Sequence, residues 1–302
     1  MKSSQKIVSK RSTAILVIQV TNANPNGEPD WDNRPRLFTN HQGWISPVSL
    51  KRKHRDLCAD HSSPVFADLQ SQFGFDPERF FVFESEKKGY DDLEPLAAMK
   101  KSMQLAVESP EAFCSRYMDV RDWGTVALEQ KMKGADGKKL DAPRFKRTGP
   151  MTLTRAVSVA PIEIVTAAGT KKYTLQAKNI EDGNGTFASE SFVRHGLYVA
   201  LLSVNPAVAR ATWTTEEDVE FLKGSMKYIF SNSAACGRPS SSLELVSFWW
   251  ADHTNALGSF NENEFLRSMT PIKKQNPDEP STCLDDYILP EPPESFGAVN
   301  WA

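Results

Sequence analysis

The sequence predicts an α+β fold organised as a split βαβ, ferredoxin-like sheet, on three observations. Thr13–Thr21 is a nearly continuous apolar run, as in a strand buried on both faces. Two helix starts carry their own punctuation, at Ser46-Pro47 and at Thr214-Thr215 followed by Glu216, Glu217 and Asp218. Around them lie β-rich stretches at Met151–Val165, Phe192–Val204 and Leu243–Trp250. The order is strand, helix, strands, helix, strand.

The elements follow along the chain. The helix opened by Ser46-Pro47 carries Leu50, Lys51, Arg52 and Arg55, with proline at a tolerated first-turn position. Residues 59–113 read as helix with breaks. Arg116–Leu128 alternates like a strand around Met118, Val120, Trp123 and Val126. Gln130–Thr148, with Gly134 and Gly137, reads as an exposed, mobile basic loop. Thr166–Arg194 has turn signals at Ala168-Gly169 and across Asp182–Gly185, flanked by Tyr173, Leu175, Phe187 and Phe192; it reads as a long projecting hairpin. The helix from Thr214 is expected to run to about Phe230. Trp249 and Trp250, adjacent on a strand, face opposite sides and read as core and interface. No internal repeat is visible.

At 302 residues the chain can bury a sizeable core, and 40% hydrophobic with 25% charged residues is ordinary for a globular protein. The net charge of −2 hides a strong asymmetry. Lys131–Arg147 holds seven Lys or Arg against two Asp, whereas Gln275 to the end holds six acidic residues and no basic one. That tail also carries Pro277, Pro280, Pro290, Pro292 and Pro293, so an extended, weakly structured segment is expected. No apolar run reaches membrane-spanning length and the N-terminus lacks a signal-peptide core, which points to a cytoplasmic protein with no membrane partner. Cys58, Cys114, Cys236 and Cys283 have no metal-ligand or disulfide spacing, and the five histidines form no ligand pattern. No nucleotide-phosphate loop and no cofactor motif is present.

The most unusual stretch is NANPNGEPDWDNRPR at 22–36, with three prolines, four asparagines and a glycine, followed by four basic residues in the five of 51–55. Asn22, Asn24 and Asn26 offer neutral donors and acceptors, and Gly27 allows close backbone approach to a phosphate. Ser46 sits at the mouth of a helix whose positive dipole end points at the same space. Lys51 and Arg55, four apart, share a helix face. Loop and helix together read as a phosphate cradle. The plainer alternative is a turn followed by a solvated helix face.

NANPNGEPDWDNRPR with SPVSLKRKHRD resembles the N-terminal signature of the Cas-seven family, the crRNA-binding backbone subunit of type I CRISPR Cascade, closest to the I-C branch. MDVRDWGTV, GPMTLTRAVSVAPIEI, VRHGLYVALLSVNPAVA and NSAACGRPSS follow in the family's order; 58–115 matches weakly and the tail beyond 270 does not map. The resemblance implies one hand-shaped domain with a modified RRM-like core at 13–57 and 116–270. A finger-like insertion would occupy 58–115, a basic loop 130–148, a thumb hairpin 166–194 and an acidic tail 271–302. It implies a non-catalytic subunit without cofactors that stacks head to tail along crRNA and presents bases to a target DNA strand. Its partners would be further copies and the Cas-five, Cas-eight and small subunits.

On that reading the RNA-binding candidates are Asn22, Asn24, Asn26, Gly27, Ser46, Lys51, Arg52, Arg55, Arg121, Arg155, Arg194 and Arg238. Tyr173, Leu175 and Phe187 are the thumb residues that would wedge the guide, though the aromatic ones equally suit hairpin packing. His195 suits either the groove or a buried hydrogen-bonded position. A guide-binding protein must grip backbone rather than base edges, and no RNP1-type aromatic run is present. The chief rival is a metal-dependent RNA-cleaving relative using Asp30, Asp32, Asp119 or Asp122. Against it, Asp119 and Asp122 are expected on opposite faces of a strand. A third reading is a structural protein that binds no nucleic acid.

Overall fold

A computed structural model describes residues 6–86, 93–127, 131–133, 139–141, 143–171, 186–231, 239 and 241–302. The chain begins with β1 (Ser12–Ala23), then β2 (Gln42–Ile45), α1 (Pro47–Ala59) and α2 (Pro64–Phe73). Next come α3 (Leu93–Glu108), α4 (Pro110–Arg116), α5 (Met118–Asp122), β3 (Gly124–Ala127) and β4 (Phe145–Thr148). β5 (Met151–Leu153), β6 (Ala156–Pro161), β7 (Ile164–Lys171) and β8 (Thr186–Val204) precede α6 (Pro206–Thr212) and α7 (Glu216–Met226). The chain closes with β9 (Leu243–Asp252), α8 (Glu262–Met269) and β10 (Val299–Asn300).

The main sheet is antiparallel, in the order β10-β9-β1-β8-β6-β2, with β5 and β7 also paired to β8. β1 lies between β8 (Ser12↔Val204 to Ala23↔Val193) and β9, as its unbroken apolar run requires. Its even residues Leu16, Ile18 and Val20 pack with Leu50 of α1 and with Val219, Leu222 and Met226 of α7. Its odd residues Ile15 and Val17 pack on the second face with Phe265 and Met269 of α8, Tyr287 and Phe296. Trp250 joins the first core and Trp249 the second, as strand alternation requires.

Both punctuated helix starts form. Ser46 Oγ accepts from the Ser49 amide at 3.1 Å to cap α1, and Thr215 with Asp218 forms a capping box on α7. α7 stops at Met226, short of Phe230, because the Tyr228 and Ile229 amides turn back to Ser225 and Met226. This tighter turn brings Ile229 and Phe230 into the first core.

Three sequence expectations need correction. Met118–Asp122 is a helix, not a strand, and all five of its residues are buried. A helix enclosed on every side shows no amphipathic period, so its pattern mimicked alternation. The described parts of the basic segment at 130–148 form a β-arm rather than a loop, with β3 paired to β4 and Lys131–Lys133 paired to Lys139–Asp141. At the base of this arm a Cβ on Gly149 would stand 2.5 Å from the Gly124 nitrogen, so the two backbones meet through glycine.

The tail is docked rather than loose. Ile272–Lys273 pairs with Tyr287–Ile288, Phe296 is buried against Phe260 and Phe265, and β10 pairs with β9. Prolines exclude helix there but not extended chain anchored by aromatics. The Lys273 ammonium donates to the Asn276 and Glu279 carbonyls, at 2.8 and 2.6 Å, and closes the intervening turn.

The described parts of 60–115 pack as a helical layer against α1 and α7. Leu57, Phe66, Phe75 and Phe80 meet Phe221 of α7, while Phe83, Phe113 and Tyr117 meet Phe145 of the arm. β7 and β8 run together from Ile164↔Val193 to Lys171↔Thr186, so the limbs of the expected hairpin project from the sheet.

Candidate nucleic-acid interface

Where β1 leaves the sheet, exposed Asn22 adopts a left-handed φ of 51°, which asparagine tolerates. The Asn24 amide donates to the Asn33 carbonyl and closes the loop, while Asn24 Oδ1 is buried without a partner among the described residues. Gly27 and Glu28 pair with Pro35 and Arg34. A Cβ on Gly27 would lie 2.6 Å from the Asn33 carbonyl, so the loop's own closure demands this glycine. Asn26 Oδ1 accepts from the Ser46 amide at 2.8 Å and rivets the loop to α1. Pro47 has no amide and that of Ser49 is taken by Ser46, so α1 is largely capped from within.

The cations divide by environment. Arg52 is exposed and pairs with Asp56 at 3.4 Å. Lys51 and Arg55 share a face as expected, but that face turns inward and both are half-buried. The Lys51 ammonium lies 5.1 Å from the Trp123 ring centroid and has no carboxylate partner among the described residues. Burial, with the Arg55 charge adding, lowers its pKa. Arg55 Nε is 3.6 Å from buried Asp119, whose carboxylate also accepts from the Phe83 and Glu84 amides at 2.8 and 3.1 Å. Arg55 therefore anchors α5 as much as it charges the surface.

Arg121 is a correction. It is fully buried and cannot face RNA. Its fork meets Asp218 at 2.9 and 2.6 Å, and Nη1 donates to the carbonyls of Cys114, Arg79 and Ser115. Burial alone would raise the Asp218 carboxyl, yet Arg121 holds it below the usual range. Asp119 and Asp122, expected on opposite faces of a strand, lie one turn apart on α5, and burial raises the pKa of both.

Arg194 is exposed at the base of the hairpin and pairs with Glu163 at 3.3 Å. His195 is buried, its Nδ1 2.7 Å from Ser281 Oγ of the tail and its Nε2 3.2 Å from the Gln19 amide. Burial lowers its pKa. Arg155 is exposed, 5.3 Å from the Trp44 ring centroid. Phe187 pairs with Thr170 in the ladder, whereas Tyr173, Leu175 and Arg238 lie outside the described residues.

Sequence reasoning missed Trp44 and Arg36. The Arg36 guanidinium lies 4.8 Å from the Trp44 ring centroid, donates to the Gly27 carbonyl at 3.2 Å and pairs with Glu28 at 2.7 Å. Phe38 stacks on Trp44 at 5.7 Å. The available signal was the aromatic and basic spacing of Arg36, Phe38 and Trp44 after the loop. No group of three or more metal-ligating side chains occurs among the described residues, and no described helix is long and apolar enough to cross a membrane.

Fold and site define a class: an α+β protein whose antiparallel sheet is packed on both faces, with a polar, cation-bearing loop and helix at one end. Residues 10–290 match the family model for CRISPR-associated protein Cas7, and the chain belongs to that family. A curated CRISPR-associated protein Cas7 from Haloferax volcanii is 31% identical over 134 residues, which are 44% of this chain. The chain spans 37% of the length of that relative. Among solved structures, a chain of a "CRISPR RNA-guided surveillance complex, pre-nicking" aligns with TM-score 0.47 at 12% identity, covering 80% of this chain and 78% of that one. A chain of a "CRISPR RNA-guided surveillance complex" aligns with TM-score 0.43 at 11% identity, covering 80% and 68%.

Proposed function

We propose that this chain is a non-catalytic backbone subunit of a type I CRISPR Cascade, closest to the I-C branch, that polymerises head to tail along crRNA. It grips the guide's phosphate backbone and presents its bases to a target DNA strand, beside Cas-five, Cas-eight and small subunits in the cytoplasm. The observation that carries this reading is the Asn-rich loop riveted to α1, with Lys51 left without a carboxylate at its edge. Membership of the Cas7 family supports it. The strand order β9-β1-β8-β6 with α1 and α7 on one face suits a modified RRM-like core. α8 and the tail cover most of the opposite face, where an RRM would stack bases, which favours backbone grip over base readout. In this reading Asn22, Lys51, Arg52 and Arg194 approach RNA, and Asn24 closes the loop that presents them. Asn26, Gly27, Ser46 and Arg55 shape the cradle, the 166–194 hairpin is the thumb, and 58–115 forms the fingers.

The test is whether nucleic acid co-purifies with the chain, read from the ultraviolet spectrum and a sizing gel. A guide-length RNA is the expected result. A nucleic-acid-free protein that shifts no single-stranded RNA at low salt would overturn the proposal. Incubating labelled RNA with magnesium or manganese tests the non-catalytic assignment; cleavage would refute it.

A further inference from the structure

The tip of the loop carries Asp30, Trp31 and Asp32, all exposed, with half of the Trp31 side chain open to solvent. The turn behind it holds two successive non-glycine residues, Asp32 and Asn33, at left-handed φ values of 49° and 53°. Short polar side chains tolerate this conformation, and the turn leaves Trp31 at the exposed tip. Neither aspartate has an ion pair or hydrogen bond among the described residues. The Arg34 guanidinium lies 5.8 Å from the Trp31 ring centroid, but the two uncommitted carboxylates outnumber it, so the tip is acidic on balance and suits protein better than RNA.

A matching cavity lies on the second face of the sheet. α8 and the tail cover that face over β9, β1 and β8 but leave a strip open at β6. The strip forms a groove of about 790 Å³, with a floor of Leu153, Val157, Val159 and Val199 and a wall of Leu266. Its rim carries Arg155, an exposed cation with no carboxylate partner among the described residues. The floor is aliphatic and Phe38 lines the groove beside it, a surface that suits an inserted apolar or aromatic side chain.

We propose that the Asp30-Trp31-Asp32 tip of one copy inserts into the β6–α8 groove of the next, Trp31 against the aliphatic floor and the aspartates against Arg155. Trp31 is not among the groove's own lining residues, so the two halves of the contact remain unmatched within one chain. A knob meeting a different surface is heterologous and propagates an open chain of copies. The proposal rests on the reading of the chain as a repeated backbone subunit, which supplies the second copy. One inserted tryptophan buries less than a self-sufficient interface does, so the contact acts with RNA holding the copies at high effective concentration.

The experiment installs a photoreactive group, Trp31→benzoylphenylalanine, in the full chain on guide RNA, mixed with isotopically labelled copies. Irradiation is expected to join position 31 to the peptide holding Val157 or Leu266 of another copy. Crosslinks to RNA, to another protein surface or within one chain would overturn the proposal, as would no crosslink at all. In parallel, Trp31→Ala and Val157→Arg should each weaken self-association by about thirtyfold, as for an interface hot spot. Mixing these two variants should restore a single junction and stop at dimers. Thermal melting checks that Val157→Arg is folded, and exposed Trp31 is not needed for folding. Both variants should bind an RNA too short for two copies as wild type does. A wild type that fails to bind the short RNA would instead sink the RNA-binding reading.

Discussion

Replacing Arg121 with methionine keeps most of the side chain's volume and removes its charge from the centre of the molecule. Asp218 then loses both donors at 2.9 and 2.6 Å, keeping the Thr215 amide and hydroxyl at 2.7 and 2.8 Å and Arg79 at 3.9 Å. The carbonyls of Cys114, Arg79 and Ser115 lose their shared donor. Truncating one partner of a buried pair costs about 3–5 kcal/mol, a large part of the roughly 5–15 kcal/mol that holds a domain folded. Urea unfolding followed by far-ultraviolet circular dichroism should show the midpoint fall by that equivalent. Arg121→Lys should recover only part of the loss, because an ammonium cannot fork. In whatever remains folded, RNA affinity and its salt dependence should match wild type. A variant less than about 1 kcal/mol weaker than wild type, or one that folds normally but binds RNA with a shallower salt slope, would refute the buried-anchor account.

Other perturbations address the remaining parts. Lys51→Met keeps the aliphatic stem over Trp123 while deleting the charge; it should flatten the salt slope by about 0.7, so a fourfold rise in salt costs about 2.6-fold less affinity than in wild type. An unchanged slope in gel shifts would remove Lys51 from the cradle. Exchanging 172–185 for a short Gly-Ser turn should leave RNA binding measurable but alter the periodic protection seen by chemical probing. An unchanged footprint would mean the thumb is elsewhere. Phe296→Ala should cost about 3–5 kcal/mol in urea unfolding, whereas a peripheral tail would lose almost nothing. Burial, with the Arg55 charge adding, pushes His54 down to about 3 from 6.5, and its Nδ1 accepts from the Trp123 indole at 3.3 Å, so folding favours the neutral ring. That contribution is complete above pH 6.5 and is lost as pH falls toward 3, at about 1.4 kcal/mol per pH unit. His54→Gln should flatten stability over that window, and an unchanged acid limb would refute the assignment.

The sequence by itself determined the central strand, both helix starts and the hairpin limbs, because each is written locally. An apolar run needs burial on both faces, Ser46 and Thr215 supply their own caps, and β-branched and aromatic residues mark the hairpin limbs. Ala168-Gly169, read as a turn, instead sits inside β7 and pairs with Ser189 and Ala188. The sequence also singled out the 22–36 loop as the candidate site, on its content of asparagine, proline and glycine. Tertiary structure alone decided which cations remain available. Arg121 and Lys51 are both basic residues beside a tryptophan in sequence or space, yet only one lies opposite a carboxylate, and Asp218 is 97 positions away from Arg121. Tertiary packing also settled α5, whose burial on every side erased the helical period, and the tail, whose prolines read as disorder until Tyr287 and Phe296 met the far face of the sheet. Local chemistry sets which conformations a segment can take; contacts distant in sequence choose among them.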